Sequence, residues 1–314
     1  MGADMKMENK NANIFAGAGI DRAANFRKDA AWIERRVAHP SCRVLPVWRG
    51  ANLVSMGDAP RPVMLAVGEA RTLAGNGAEL ALLGLIAGDA RFAVDISHIE
   101  DPLSRPELRD RGDWVELRDI GQLLDRRDGA LLSYARGLMH WHRRHRFCSV
   151  CGGTTSMREA GHLRVCENPS CATHHFPRTD PVVIMLVSDG DKCLLARKVG
   201  RTEPMYSVLA GFVEPGESLE EAVAREVMEE TGIVVENVRY HSSQPWPFPA
   251  SLMLGFTARA VTTDIRLDDD ELVDARWLTR DEIRAYAAGD GAKLRLPRPV
   301  SISRRLIEGW LAEE

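Results

Sequence analysis

At 314 residues, with 45% hydrophobic and 27% charged residues, the chain is long enough for two domains of ordinary size, each with its own core. A formal net charge of −4 argues against a disordered polyelectrolyte and equally against a broadly basic nucleic-acid coat. No run of eighteen apolar residues exists, and Met1 to Asn13 is polar rather than basic and then apolar, so no membrane span or secretion signal is expected and the cytosol is the default.

Residues 1–20, rich in Gly, Ala and Asn, are expected to form a flexible tail. From Val44, short apolar runs alternate with turn residues: Val44 to Trp48, Val63 to Val67, Leu80 to Ile86 and Arg91 to Ile96. That pattern predicts short strands, with Gly75-Asn76-Gly77 as one of the turns. From Ile120 the period changes, and Leu123, Leu124, Leu131, Leu132, Ala135, Leu138 and Met139 recur at helical spacing. Together these define an N-terminal α+β domain over residues 21–145 that contains no catalytic constellation. The stretch that leads out of it, His140, Trp141, His142, Arg143, Arg144, His145, Arg146 and Phe147, is the most basic in the chain. It could grip phosphates, but such a run is more often the wet end of a helix.

Cys148-Ser149-Val150-Cys151 and Cys166 with Cys171 follow, two pairs separated by fourteen residues. This is a zinc-ribbon arrangement over residues 146–176, although the second pair is wider than the usual two-residue gap. Disulfides are the weaker reading, because a cytosolic chain keeps its thiols reduced. Four thiolates close the coordination shell, so the Zn²⁺ is expected to be structural and to supply folding free energy on the order of 10 kcal/mol. His162, His174 and His175 are nearby as supporting or substitute ligands; Cys193 reads as a small core residue.

Phe176 to Pro181 is a stiff connector. Strands are then predicted at Val182 to Val187, Lys192 to Ala196 and Tyr206 to Ala210, leading into AGFVEPGESLEEAVAREVMEETGI, Ala210 to Ile233. Its first half is a loop and its second half a strong helix. At about 100° per residue, Glu226, Glu229 and Glu230 fall on one face. Like charges that close repel by roughly 4 kcal/mol for a pair 4 Å apart at an effective dielectric of 20, so the arrangement invites a cation, and oxygen ligands suit Mg²⁺ or Mn²⁺. On composition alone, a solvated acidic helix would be the commoner explanation. Leu219, Val223 and Val227 form the buried stripe, and Gly232 ends the helix.

A strand is predicted over Ile233 to Tyr240. Ser243-Gln244-Pro245-Trp246-Pro247-Phe248-Pro249-Ala250-Ser251 then alternates three prolines with two aromatics, which holds Trp246 and Phe248 with little conformational freedom and suits them to stacking on a base or nicotinamide ring. A proline-rich loop capping the core is the alternative. Further strands are expected at Leu252 to Ala260 and Leu272 to Leu278, on either side of the acidic Asp268-Asp269-Asp270-Glu271. A Thr279/Glu282 capping box starts the next helix, and Ser301 to Leu311 reads as a final amphipathic helix.

Gly211, Glu217, Arg225-Glu226, Glu229-Glu230 and Gly232-Ile233, at these offsets, resemble the Nudix box of the Nudix hydrolases. Ser243 to Ser251 resembles the signature of the NADH pyrophosphatase (NudC-type) subfamily. The resemblance implies an α+β protein: a Nudix α/β/α sandwich with a mixed sheet over residues 177–314, preceded by the zinc ribbon and the β-rich N-terminal domain. It implies hydrolysis of NADH or NAD⁺ at the pyrophosphate to nicotinamide mononucleotide and AMP, and removal of the NAD cap from RNA.

More than one Mg²⁺ or Mn²⁺ would be held by Glu226, Glu229, Glu230 and Glu271, with Glu226, Glu229 and Glu230 as the catalytic carboxylates and Glu217 and Arg225 supporting them. Phe176 and Phe212 resemble positions that stack on substrate, and Gln244, Pro245, Trp246, Pro247, Phe248, Pro249, Ala250 and Ser251 would set specificity. Arg118 matches an arginine that reaches the site, a surface ion pair being the plainer role. The resemblance also implies a homodimer. Two competing readings are a Nudix hydrolase of ADP-ribose or a dinucleoside polyphosphate, and a zinc-ribbon nucleic-acid-binding regulator with an inactive Nudix domain.

Overall fold

The computed structural model describes residues 13–75, 78–200, 205–267, 271–288 and 295–313. The expected tail over residues 1–12, the Asn76-Gly77 turn and Asp268-Asp269-Asp270 lie outside the described residues. The remainder of the expected tail is not loose throughout, since Asn13 is 3% and Phe15 2% exposed. The chain divides into two compact units. One runs up to Thr179 and includes Trp246–Ala250; the other comprises Asp180–Pro245 and Ser251–Glu314.

The first unit carries α1 (Ala30–Ala38), β1 (Arg43–Trp48), β2 (Ala51–Ser55), β3 (Arg61–Pro62), α2 (Val67–Ala74), β4 (Ala81–Ile86), β5 (Asp89–Asp95), β6 (Asp113–Val115), α3 (Leu117–Ile120) and α4 (Arg126–Arg144). Its sheet runs β3-β2-β1-β5-β4, with β6 also paired to β2. Only β1 and β5 pair in parallel; the other recorded pairings are antiparallel. Leu53, Leu65, Leu82, Phe92 and Ile96 fill its core. The alternating apolar runs predicted β1, β4 and β5, but not β2, β3 or β6, nor α1 or α2. Asp29 caps α1 by accepting from the Trp32 amide at 2.9 Å. The predicted strand Val63 to Val67 instead keeps one bridge, Val44 to Leu65, and turns into α2, where the Ala66 amide donates to Glu69 Oε2 at 2.7 Å. A carboxylate that takes up the free amide at the helix start in this way decides locally for helix over strand.

Next comes the ribbon, an antiparallel sheet of β7 (Thr155–Arg158), β8 (Leu163–Cys166) and β9 (His174–His175). His142, on α4, is 8% exposed; its ring nitrogens meet Gly161 O at 2.9 Å and Arg164 at 3.1 Å. His162 meets Leu82 O at 2.8 Å and Tyr134 Oη at 3.2 Å. Burial pushes both imidazoles down to about 4, so at neutral pH they are uncharged links between ribbon and domain. Part of the basic run is thereby structural: Arg143 pairs with Asp95 at 3.5 Å.

The second unit contains β10 (Asp180–Asp189), β11 (Lys192–Lys198), β12 (Leu209–Phe212), α5 (Leu219–Thr231), β13 (Val235–Trp246), β14 (Ser251–Ala260), β15 (Leu272–Thr279), α6 (Arg280–Ala288) and α7 (Ile302–Ala312). Its sheet runs β13-β14-β10-β11-β15, with β12 on β10. The sheet is mixed, since β10 and β14 run parallel while β10 is antiparallel to β11 and β12. Side chains along β10 alternate between two cores. Val183, Met185 and Val187 pack with Val223 and Val227 of α5, whereas Ile184 and Leu186 pack with Ile302, Leu306 and Trp310 of α7. Period-two alternation between two apolar faces thus produces the predicted α/β/α sandwich. No helix among the described residues is long and apolar enough to cross a membrane.

Candidate active site

Helix α5 starts from a full capping box: Ser218 Oγ accepts from the Glu221 amide at 3.3 Å and Glu221 Oε2 accepts from the Ser218 amide at 2.7 Å. It stops at Gly232, in the left-handed region with φ 69°. Between these ends, Arg225 organises the carboxylates. Its Nε and Nη2 donate to the two oxygens of Glu217 at 3.0 and 2.6 Å. Nη1 donates to Glu226 and Glu229, each at 2.9 Å, and Nη2 also reaches Phe212 O at 2.9 Å. These bonds and the Glu214 amide hold the Glu217 carboxyl down at about 2, while they raise the Arg225 guanidinium above its ordinary value. The guanidinium therefore fixes the loop to the helix as a charged hub.

Glu230 differs sharply. Its side chain is 4% exposed, and neither carboxylate oxygen accepts a hydrogen bond. Lys198 Nζ lies 3.4 Å from Oε1. Burial pushes the Glu230 carboxyl up to about 7 and also raises Glu226, against the pull of Arg225. Gly211 is required by space. A Cβ there would sit 1.8 Å from Glu226 Cδ, so the β12 backbone presses directly on the carboxylate.

Glu271 lies just before β15, its side chain 66% exposed, with Oε2 3.7 Å from Lys198 Nζ. The same ammonium thus faces Glu230 and Glu271. Glu229 is 58% exposed, turned to Arg225. An orphaned buried carboxylate beside two further glutamates is a donor set that fits a hard divalent cation. The carboxylates are gathered but not closed on one point. Among the described residues, the only group of three or more metal-type ligands within 4.8 Å of one another is Cys148, Cys151, Cys166 and Cys171.

That quartet fits zinc. Sγ atoms of Cys148 and Cys171 are 3.8 Å apart, and those of Cys151 and Cys166 3.4 Å, against about 3.8 Å for tetrahedral zinc with bonds of about 2.3 Å. His175 Nε2 lies 3.3 Å from Cys148 Sγ, and the Val150 amide points to the same sulfur at 3.4 Å. His162 is committed elsewhere, and His174 contacts the Phe176 ring edge-on.

Phe212 is 61% and Phe176 66% exposed. Gln244 departs from expectation. Its side chain is buried, donating to Val300 O and accepting from the Ile302 amide, both at 2.8 Å, so it secures the start of α7 rather than facing a ligand. Pro245 is half-buried behind it and Ser251 opens β14 opposite Asp180.

The Trp246–Ala250 run belongs to the first unit. Trp246 and Phe248 meet edge-on at 5.0 Å, Phe15 packs on both at 6.1 and 5.8 Å, and Arg118 lies over their rings at 5.6 and 4.6 Å. Arg136 Nε donates to Pro247 O at 2.9 Å with its guanidinium 4.7 Å from the Phe248 ring. The Phe248-Pro249 peptide is cis, and Ala250 is half-buried. Sequence reasoning missed Phe15, Arg136 and Lys198. None lies in a motif, and Lys198 is marked only by ending an apolar strand.

Comparison with known proteins places these features. A sequence model of the NUDIX domain matches residues 177–296, one of the NADH pyrophosphatase-like rudimentary NUDIX domain matches 41–141, and one of the NADH pyrophosphatase zinc ribbon matches 143–176. A Mycobacterium bovis protein named NAD-capped RNA hydrolase NudC is 39% identical over 329 residues, spanning 100% of this chain and 98% of its own. This chain belongs to the NudC family of Nudix hydrolases. A human relative, named NAD-capped RNA hydrolase NUDT12, is 33% identical over 95% of this chain and 73% of its own length. A solved NUDIX hydrolase from Nitrosomonas europaea aligns at TM-score 0.39 and 22% identity over 48% of this chain and 98% of that one. The rudimentary domain explains the first unit: it repeats the parallel central pair but its α2 bears one glutamate, Glu69, spent on a cap and on Arg111 at 2.9 Å. As a NudC-family zinc ribbon, the quartet binds structural zinc.

Proposed function

We propose that this chain hydrolyses the pyrophosphate of NADH and NAD⁺ to nicotinamide mononucleotide and AMP, and that the NAD cap on RNA is a substrate of the same site. The observation that carries the reading is the buried Glu230, unbonded on both oxygens, beside the Arg225-braced Glu226. The nicotinamide preference rests on the Ser243 to Ser251 signature, together with the names of the mycobacterial and human relatives.

Glu226, Glu230 and Glu271, with Glu229 at their edge, would hold the divalent ions, Mg²⁺ or Mn²⁺. Such ions neutralise a diphosphate and activate water for attack on phosphorus. The chain's own contribution is positional. Arg225 keeps Glu226 and Glu229 in one orientation and Glu217 anchors the loop, so little reorganisation remains at the moment of reaction. Phe212, exposed beside this loop, offers a flat apolar face to a base or nicotinamide ring. We assign residues 21–145, 146–176 and 177–314 as the rudimentary domain, ribbon and catalytic domain, and the working form as a homodimer; in support, β13 is an outer strand that exposes Tyr240 at 60%.

The test is a hydrolysis panel of NADH, NAD⁺, NAD-capped RNA and ADP-ribose on one zinc-loaded preparation with Mg²⁺ or Mn²⁺. NADH and NAD⁺ should each give a higher kcat/KM than ADP-ribose, and Glu230→Gln should abolish turnover of all four. A preference for ADP-ribose would overturn the substrate, and an active Glu230→Gln protein the mechanism.

A further inference from the structure

We propose that the Lys198 ammonium is the metal-free occupant of the carboxylate site, and that a divalent ion enters by displacing it, so that Lys198 sets the enzyme's metal affinity. The inference rests on reading Glu226, Glu230 and Glu271 as the metal site. Arg225 is committed to Glu217, Glu226, Glu229 and the Phe212 carbonyl. Lys198 takes the other side, its Nζ 3.4 Å from Glu230 Oε1, 3.7 Å from Glu271 Oε2 and 3.4 Å from the Ala210 carbonyl.

Its position is fixed by the sheet. Lys198 ends β11 opposite Leu272, and the Val199 amide donates to the Glu271 carbonyl at 2.8 Å, so lysine and glutamate are held on adjoining strand ends. The grip is loose. Both contacts with carboxylate are longer than the roughly 2.7–2.9 Å of a charge-assisted hydrogen bond, and the Glu230 oxygens remain without a hydrogen-bond partner. The ammonium neutralises the buried carboxylate without satisfying it.

Two positive charges, Arg225 and Lys198, set against Glu217, Glu226, Glu229, Glu230 and Glu271 leave a negative excess that a divalent ion would reduce. Such an ion binds oxygen at about 2.0–2.1 Å and could not share Glu230 with an ammonium at the present distance without strong like-charge repulsion. The side chain is 37% exposed, so a path to solvent exists for it and its stem can swing outward. Lys198 therefore acts as a placeholder that offsets the repulsion between these carboxylates and competes with an incoming ion.

The test needs no substrate. Mn²⁺ binding to the zinc-loaded wild type and to Lys198→Met is measured by calorimetry, with Glu230→Gln as the site control. Methionine keeps the stem and removes the charge. Lys198→Met should bind Mn²⁺ tighter, on the order of tenfold. In the wild type, acylation of Lys198 by an amine-reactive reagent, followed by mass spectrometry, should be faster with Mn²⁺ than without. Equal or weaker Mn²⁺ binding by a folded Lys198→Met protein, or acylation no faster with the ion, overturns the inference alone. A wild type that binds no Mn²⁺ overturns the metal-site reading and this inference with it.

Discussion

Gly211→Ala is the sharpest test of the geometry, because the glycine is there for space and adopts no left-handed conformation. The new Cβ would stand 1.8 Å from Glu226 Cδ and 1.9 and 2.0 Å from its oxygens, where ordinary contact begins near 3.4 Å. Glu226 must therefore retreat by about 1.6 Å, or the strand pairing of Gly211 with Val183 must open. Overpacking of this kind costs about 1–3 kcal/mol of stability, and a misplacement of about 1 Å at a catalytic site can cost on the order of 10²-fold. The expected result is a folded protein with a lowered urea midpoint and NADH kcat/KM reduced on the order of 10²-fold, measured at saturating Mg²⁺. Gly68→Ala is the control: nothing lies within 4 Å of its Cβ, and it sits inside α2, so stability should hold or rise by about 0.5–1 kcal/mol. Gly211→Ala with wild-type activity and midpoint would refute the claim that β12 positions Glu226.

Arg225→Lys should cut kcat/KM on the order of 10²-fold, since a single ammonium cannot replace a planar fork that serves Glu217, Glu226, Glu229 and the Phe212 carbonyl; the Mg²⁺ concentration for half-activity should rise with it, and an unchanged requirement would argue against the hub. Cys166→Ser should release zinc and unfold the ribbon, read by elemental analysis and by early loss of structure on heating; a wild type with no stoichiometric zinc contradicts the quartet. His142 and His162, held at about 4 against an ordinary 6.5, are neutral in the folded chain and take up protons on unfolding. Their stability is fully present above pH 6.5 and is lost as pH falls towards 4, by about 2 kcal/mol each at pH 5. Urea midpoints at pH 7.5 and 5.0 should show this loss, and His142→Gln should shrink it; parallel midpoints for both proteins would refute the assignment.

The chemistry-bearing motifs were legible because each is local. The Glu226, Glu229, Glu230 face follows from helical spacing and the zinc quartet from ligand spacing, while the α/β/α layering was implied only by the resemblance to the Nudix box. The Gly232 stop and the Thr279/Glu282 capping box are local too, and they bound helices where the sequence put them. Helices α1 and α2 were not legible, because α1 precedes the first patterned run, α2 overlaps the apolar run Val63 to Val67, and short-range bonds at Asp29 and Glu69 decide the outcome. Nor was the fate of the proline-aromatic run. Sequence gives Trp246 and Phe248 rigidity, but only tertiary packing brings Phe15, Arg118 and Arg136 to their faces and turns Gln244 to the start of α7. Lys198 shows the same division. Its place beside Glu230 and Glu271 comes from strand register across residues far apart in the chain, and a contact that depends on long-range register leaves no periodic trace in the sequence.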